Sequence, residues 1–184
     1  MNRLEYVSSI IGGDCGRFFI SDEGRVVDVF APINIAFVKY WGKICSDLML
    51  PYNENLSITM NELGTKLKLE LSDRNFLSIN GVEIDESDLK FKKVFDFLQL
   101  LCGKKFFFRA ETVNNIPTAA GFASSASVFA ALVLAVNEMF VLNLSKISLS
   151  NLARIGSVSA GRSVLRGVVK MGKTGAVELI DNNI

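Results

Sequence analysis

The 184-residue chain contains no histidine. Nucleophilic catalysis built on a Ser–His or Cys–His pair is therefore excluded, and chemistry must rest on Lys, Arg, Asp, Glu, hydroxyls or backbone groups. Cysteine is scarce as well: Cys15, Cys45 and Cys102 form no CxxC pair, so a Cys/His zinc site has too few ligands. An odd, scattered set of thiols with no recognisable secretory leader fits a reducing compartment, and a cytoplasmic location is expected. No charge of one sign dominates, since 20 Lys and Arg stand against 19 Asp and Glu. A global attraction to nucleic acid or to an acidic membrane is thereby excluded, whereas a small basic pocket for an anionic metabolite is not. The most apolar stretch, Phe122 to Leu142, nearly has the length of a membrane span. Ser124, Ser125, Ser127, Asn137 and Glu138 interrupt it, so a buried Ala-rich helix accounts for it better and no membrane partner is expected.

What is present reads as one α+β domain, 26–184, behind a loosely specified extension, 1–25, in which Gly12, Gly13, Gly16 and Gly24 mix with charges. Strands are expected at Val26–Phe30, Ile33–Val38, Leu56–Met60 and Lys66–Leu71. Phe76–Ile79 and Val82–Ile84 flank Asn80-Gly81, a dipeptide suited to a two-residue hairpin turn. Ser87–Cys102 places Phe91, Val94, Phe95, Leu98 and Leu101 on one helical face, with Gly103 as its stop. A strand over Lys104–Thr112, a loop, the Ala-rich helix and a third helix over about Ser148–Ala160 follow. Val168–Met171 and Ala176–Ile180 read as a last hairpin.

The most informative segment is Pro117-Thr118-Ala119-Ala120-Gly121-Phe122-Ala123-Ser124-Ser125-Ala126. Small residues let backbone approach a ligand closely, and free N–H groups at a helix start favour phosphate. The hydroxyls of Ser124 and Ser125 suit phosphate oxygen or a magnesium shell. A serine-capped loop ahead of a core helix would show the same small residues. A second phosphate pattern, Gly167-Val168-Val169-Lys170-Met171-Gly172-Lys173-Thr174, satisfies the Walker A spacing. It lacks the context that loop needs: only ten residues follow, and Val168 and Val169 suit a strand.

Two further segments draw attention. Asn34-Ile35-Ala36-Phe37-Val38-Lys39-Tyr40-Trp41-Gly42-Lys43 is a strand ending in two lysines, a tyrosine and the lone tryptophan. Gly156-Ser157-Val158-Ser159-Ala160-Gly161-Arg162-Ser163 joins hydroxyls to an arginine, whose planar fork suits carboxylate and phosphate. Taken together in this order, the three segments resemble the diphosphomevalonate decarboxylase branch of the GHMP kinase superfamily, over about Val26 to Ile180. The resemblance implies the ribosomal protein S5 domain 2-like fold of the N-terminal GHMP domain, with the C-terminal GHMP domain lacking from these 184 residues. It implies ATP with Mg2+ at Pro117, Thr118, Ala119, Ala120, Gly121, Ser124 and Ser125. It implies mevalonate diphosphate held by Asn34, Lys39, Tyr40, Trp41, Gly42, Lys43, Arg74, Ser157, Val158, Ser159, Ala160, Gly161 and Arg162, with Arg162 and Lys43 as the catalytic cations. The implied reaction is phosphorylation of the tertiary hydroxyl by ATP, then loss of phosphate and carbon dioxide to give isopentenyl diphosphate.

Several residues depart from the family pattern. Val158 and Gly161 replace Gly and Cys, Asn55 stands where serine is usual, and Glu54 brings negative charge. The family's essential aspartate lies in the C-terminal domain and has no counterpart here, so little or no turnover is expected from these residues alone. Completion would come from a second copy or from a chain carrying the other domain, and an apolar face should be exposed where that domain packs. A non-catalytic nucleotide-binding relic and a sister enzyme such as a mevalonate-type kinase are the other readings.

Overall fold

The structure, a computed structural model, describes residues 1–12, 25–102, 106–116 and 124–182, with the side chain of Ser124 excepted. Cys15, the glycines at 13, 16 and 24, the helix stop Gly103 and the loop Pro117–Gly121 lie outside the described residues.

Strands β1 (Val26–Val38) and β4 (Asn55–Ser72) organise the fold. Each joins two strands that the sequence reading separates. β1 runs through Ala31-Pro32, and β4 through the polar stretch 61–65. Their antiparallel pairing runs from Val26↔Glu70 to Val38↔Leu56, with a shift between Pro32 and Ile33 that absorbs the proline. Since β1 occupies one edge of β4 throughout, the other edge is shared. β7 (Phe107–Asn114) pairs with its second half, Thr65 to Ser72, and β8 (Val168–Met171) with its first, Asn55 to Ile58. Beyond β7 lie β5 (Phe76–Ile79), parallel to it, and β6 (Val82–Glu83). Beyond β8 lies β9 (Val177–Asp181). Asn80 and Gly81 take φ 52° and 79°, the left-handed pair that a two-residue hairpin turn requires. The short hairpin of β2 (Lys43–Cys45) and β3 (Leu50–Pro51) forms its own two-stranded sheet.

Five helices are described: α1 (Arg3–Ile11), α2 (Leu89–Cys102), α3 (Ser124–Met139), α4 (Lys146–Gly156) and the single turn α5 (Ala160–Ser163). The face expected of α2 is buried, joined by Phe97 and Cys102. It meets Ala-rich α3 and the inner faces of β1, β4 and β7 in the main core, where Leu67, Leu69, Leu98 and Leu132 are solvent-free. A smaller core of Val158, Leu165, Val169, Met171 and Val177 lies at the β8 end. No described helix is long and apolar enough to cross a membrane.

Two expectations are corrected. Residues 3–11, read as part of a loose extension, form a helix with a capping box between Asn2 and Glu5 and with Val7 fully buried in the main core. The helix expected to run to Ala160 stops at Gly156, and Ser157 turns extended at φ −158°. Gly156, the last helical residue, lies so close to the Phe129 ring of α3 that a Cβ would sit 2.4 Å from it. The Walker-like pattern is β8 followed by a hairpin turn, as its β-branched residues suggested.

Candidate anion-binding site

Three polar residues on one face of β4, Asn55, Ser57 and Thr59, are buried, as is Asn34 on β1. Polar groups removed from water must be paired: Thr59 accepts from the Gly167 amide and Asn55 donates to the Asn53 carbonyl, whereas Ser57 and Asn34 meet Arg162 of α5, itself only 1% exposed. The Arg162 Nε donates to Ser57 Oγ at 2.8 Å and Nη2 to Asn34 Oδ1 at 3.3 Å. Asn34 Nδ2 in turn donates to Ser163 Oγ at 2.7 Å and to the Ser159 carbonyl at 3.0 Å. The Arg162 Nη1, which carries two N–H groups, is buried with no partner. No carboxylate lies within ion-pairing distance of this guanidinium among the described residues. Burial holds its pKa down to about 10, partly offset by the nearby Tyr40 phenol, so the cation remains charged at neutral pH.

A buried cation with neutral partners and a free fork is arranged to receive an anion. Ser57 and Asn34 aim it through Nε and Nη2, leaving Nη1 open. Asn55 Oδ1 is a second buried atom without a partner, two residues along β4 from Ser57.

From this cluster a line of hydroxyls leads to a cleft. Ser159 Oγ lies 3.3 Å from Ser157 Oγ. Ser157, Ser125 in the first turn of α3, and Arg3 and Lys93 all line one cleft of about 450 Å³. The close approach of Gly156 to Phe129 brings the Ser157 end of α4 against the start of α3. The third sequence segment thus divides by side-chain direction. Ser157, Ser159 and Arg162 form the polar line, while Val158, Ala160 and Gly161 are buried and Val158 belongs to the small core. A valine where the family has glycine is therefore accommodated inward.

The lysine-rich strap adjoins Arg162 through Tyr40, and part of it lines another cleft. Lys39 and Trp41 line a separate cleft of about 490 Å³ with Ala36, Phe37, Val38 and Asn53. Asn53 fastens the strap, accepting from the Trp41 amide at 2.8 Å and donating to the Lys39 carbonyl at 3.0 Å. Tyr40 packs against the small core. Gly42, at φ 78°, accepts from the Tyr52 amide at 3.1 Å, and exposed Lys43 opens β2. Exposed apolar side chains gather in this region, including Phe37, Val38, Trp41, Ile44 and Tyr52. Glu54 is paired with Lys170 at 3.2 Å, which offsets its negative charge. Arg74 follows β4 at the end opposite Ser57 and is exposed. Sequence reasoning missed Ser57 as the ligand of Arg162. The alternation Asn55-x-Ser57-x-Thr59 on a strand was the signal that could have found it.

Fold and site together define an α+β domain in which a buried cation is oriented by neutral groups, with no carboxylate partner among the described residues. The family model described as the diphosphomevalonate decarboxylase-like N-terminal domain matches residues 31–178, and the chain belongs to that family. It is similar to the diphosphomevalonate decarboxylase of Saccharomyces cerevisiae, 39% identical over 166 residues that cover 79% of this chain and 41% of the relative. Among solved structures it is similar to mevalonate diphosphate decarboxylase from Staphylococcus aureus, with a TM-score of 0.80 and 32% identity over 90% of this chain and 53% of that one. It is also similar to MDDEF in complex with MVAPP, AMPPCP and magnesium, with a TM-score of 0.76 and 36% identity over 87% of this chain and 52% of that one. The chain spans about two fifths of the length of the curated relatives it matches and about half of the solved chains. Its mixed sheet with helices on one core is the fold of those enzymes' N-terminal part.

Proposed function

We propose that this chain supplies the mevalonate diphosphate grip and the nucleotide loop of an ATP-dependent decarboxylase that forms isopentenyl diphosphate. One observation carries the reading: the Arg162 Nη1, buried and without a partner in a cluster that contains no carboxylate. Arg162 holds the substrate's carboxylate and phosphate oxygens, and Ser157 and Ser159 donate to phosphoryl oxygens along the same line. Lys43 and Lys39 add charge from the strap, with Tyr40, Trp41 and Gly42 shaping it. The solved neighbour with MVAPP, AMPPCP and magnesium supports the same ligand pair for this chain.

The residues present fit a nucleotide in one respect that the structure describes: α3 opens with Ser125 exposed to the cleft that also holds Ser157. Thr118 to Gly121, with Ser124 and Ser125, would hold the phosphates. Among the described residues no group of three or more Asp, Glu, Cys or His gathers to hold an ion, so Mg2+ would rest on the nucleotide's own oxygens and serine hydroxyls. Bound ATP with Mg2+ supplies the phosphoryl group that turns the substrate's tertiary hydroxyl into a leaving group. This chain's share is positioning and charge neutralisation, the main protein contributions to phosphoryl transfer. A carboxylate fixed on Arg162 stays aligned to leave as carbon dioxide while positive character develops at the neighbouring carbon. The share proposed for these residues is to bind and align both ligands.

Calorimetric titration with mevalonate diphosphate, then with AMPPCP and Mg2+, tests the reading. Saturable binding of both, with Arg162→Gln weakening the first by about 10- to 100-fold, is expected. Binding of the nucleotide with none of the diphosphate, at any concentration tried, would instead favour a nucleotide-binding module.

A further inference from the structure

Three successive carbonyls in the turn between β2 and β3 are all held by guanidinium groups from elsewhere in the chain. Arg3 of α1 donates through Nε to the Asp47 carbonyl at 2.6 Å and through Nη2 to the Ser46 carbonyl at 3.2 Å. Arg154 of α4 donates through Nη1 to the Leu48 carbonyl and through Nη2 to Tyr6 Oη of α1 at 2.7 Å. The Tyr6 ring also lies 5.4 Å from the Arg154 guanidinium carbon, within cation–π range.

Arg154 is fully buried, among the largest solvent-free side chains described, and no described carboxylate pairs with it. Desolvation lowers its pKa, with the Tyr6 phenol partly offsetting the cost. Its surroundings are fitted to it from the other side. A Cβ on Gly175, in the β8–β9 turn at φ +81°, would come within 2.5 Å of Arg154 Nε and 3.0 Å of Leu50. α1 is itself well anchored, through the Asn2–Glu5 capping box and buried Val7. It also precedes the segment that the family model matches, which begins at residue 31.

The turn so held closes the hairpin on which Lys43 stands, and the strap before Lys43 is fastened at its other end by Asn53. We propose that α1 and Arg154 form a clamp that fixes the β2–β3 hairpin and thereby positions Lys43 for the anionic substrate. This rests on the substrate reading above. Arg154 and Tyr6 line no ligand cleft in this account and are positioning residues, while Arg3 holds the turn through its two carbonyl bonds and also lines the Ser157 cleft. A flexible lysine on a two-stranded hairpin loses rotamer and backbone freedom when it grips an anion. A turn already held by two arginines has lost much of that freedom beforehand, so more of the electrostatic gain appears as affinity.

The test uses the 184-residue chain with three mild changes: Arg3→Gln, Tyr6→Phe and the pair combined. Hydrogen exchange of the amides between 43 and 51 should accelerate about tenfold or more in the combined variant, while amides of α3 and β4 keep their protection. The second readout is coupling. Lys43→Gln should weaken mevalonate diphosphate binding several-fold in the parent chain and add almost nothing in the combined variant, whereas Arg162→Gln keeps its full effect in both. A purely structural role for α1 would lower both effects alike. Unchanged hairpin exchange, or full additivity between Lys43→Gln and the clamp changes, would overturn the clamp. If neither Lys43→Gln nor Arg162→Gln alters the affinity, the substrate reading fails instead, and hydrogen exchange alone then decides whether the clamp exists.

Discussion

Arg154 and Arg162 sit eight positions apart, both buried and neither paired with a carboxylate among the described residues, yet they are used differently. Arg154 spends both terminal nitrogens on this chain, on the Leu48 carbonyl and the Tyr6 hydroxyl, beside an aromatic ring. Only its single Nε–H is unpaired. Arg162 keeps a whole terminal nitrogen free, and its two bonds go to an amide oxygen and a hydroxyl that orient the fork. A buried charge whose outer nitrogens are consumed internally ties elements together. One left half-paired is destabilising until something arrives to complete it. The contrast separates scaffold from site, although composition and burial are the same for both.

Stability should separate the two most sharply. Arg154→Met strands the Leu48 carbonyl and the Tyr6 hydroxyl and releases the hairpin. It should cost about 3 kcal/mol in urea unfolding. Arg162→Met removes a half-paired buried charge, so its cost should stay below about 1 kcal/mol despite the loss of two hydrogen bonds. Equal losses would break the comparison. Next in size is Gly161→Ala, where an added Cβ would meet Met171 at 2.8 Å and the Ser150 carbonyl at 3.0 Å. Overpacking there should cost about 1–3 kcal/mol by the same measurement and weaken diphosphate binding through the displaced Arg162. Tyr6→Phe removes one hydrogen bond from Arg154 while keeping the ring, and a loss of about 1 kcal/mol with unchanged Arg162 contacts is expected. The smallest effect belongs to Glu54→Gln, which breaks an exposed pair with Lys170. Thermal melting should register less than about 0.5 kcal/mol.

Much of this was readable before any coordinates. The periodic apolar face of α2, the Asn80-Gly81 hairpin and the β-branched character of β8 are local signals, and each became the element its residues favour. The site motifs were readable because hydroxyls, glycines and an arginine cluster in short spans. Where sequence reasoning fell short, the missing information was long-range. Nothing local in Asn2 to Ile11 says that Val7 will find the main core, and the capping box alone would not make a nine-residue helix stable. Continuity of β4 across its polar middle depends on β1 pairing on both sides of the irregularity at 61–63. The close approach of α4 to the Phe129 ring of α3 at Gly156 is likewise a long-range contact. Arg154 was invisible as a clamp because its partners, Leu48 and Tyr6, lie 106 and 148 positions away.

The most direct measurement is nitrogen-detected NMR of the arginine side chains during titration with mevalonate diphosphate, feasible for a chain of 20.2 kDa. The Arg162 guanidinium resonances should shift and their proton exchange slow as the ligand saturates, while those of Arg154 stay in place. Arg162 signals that do not respond to a bound ligand, or an equal response from both arginines, would contradict the account.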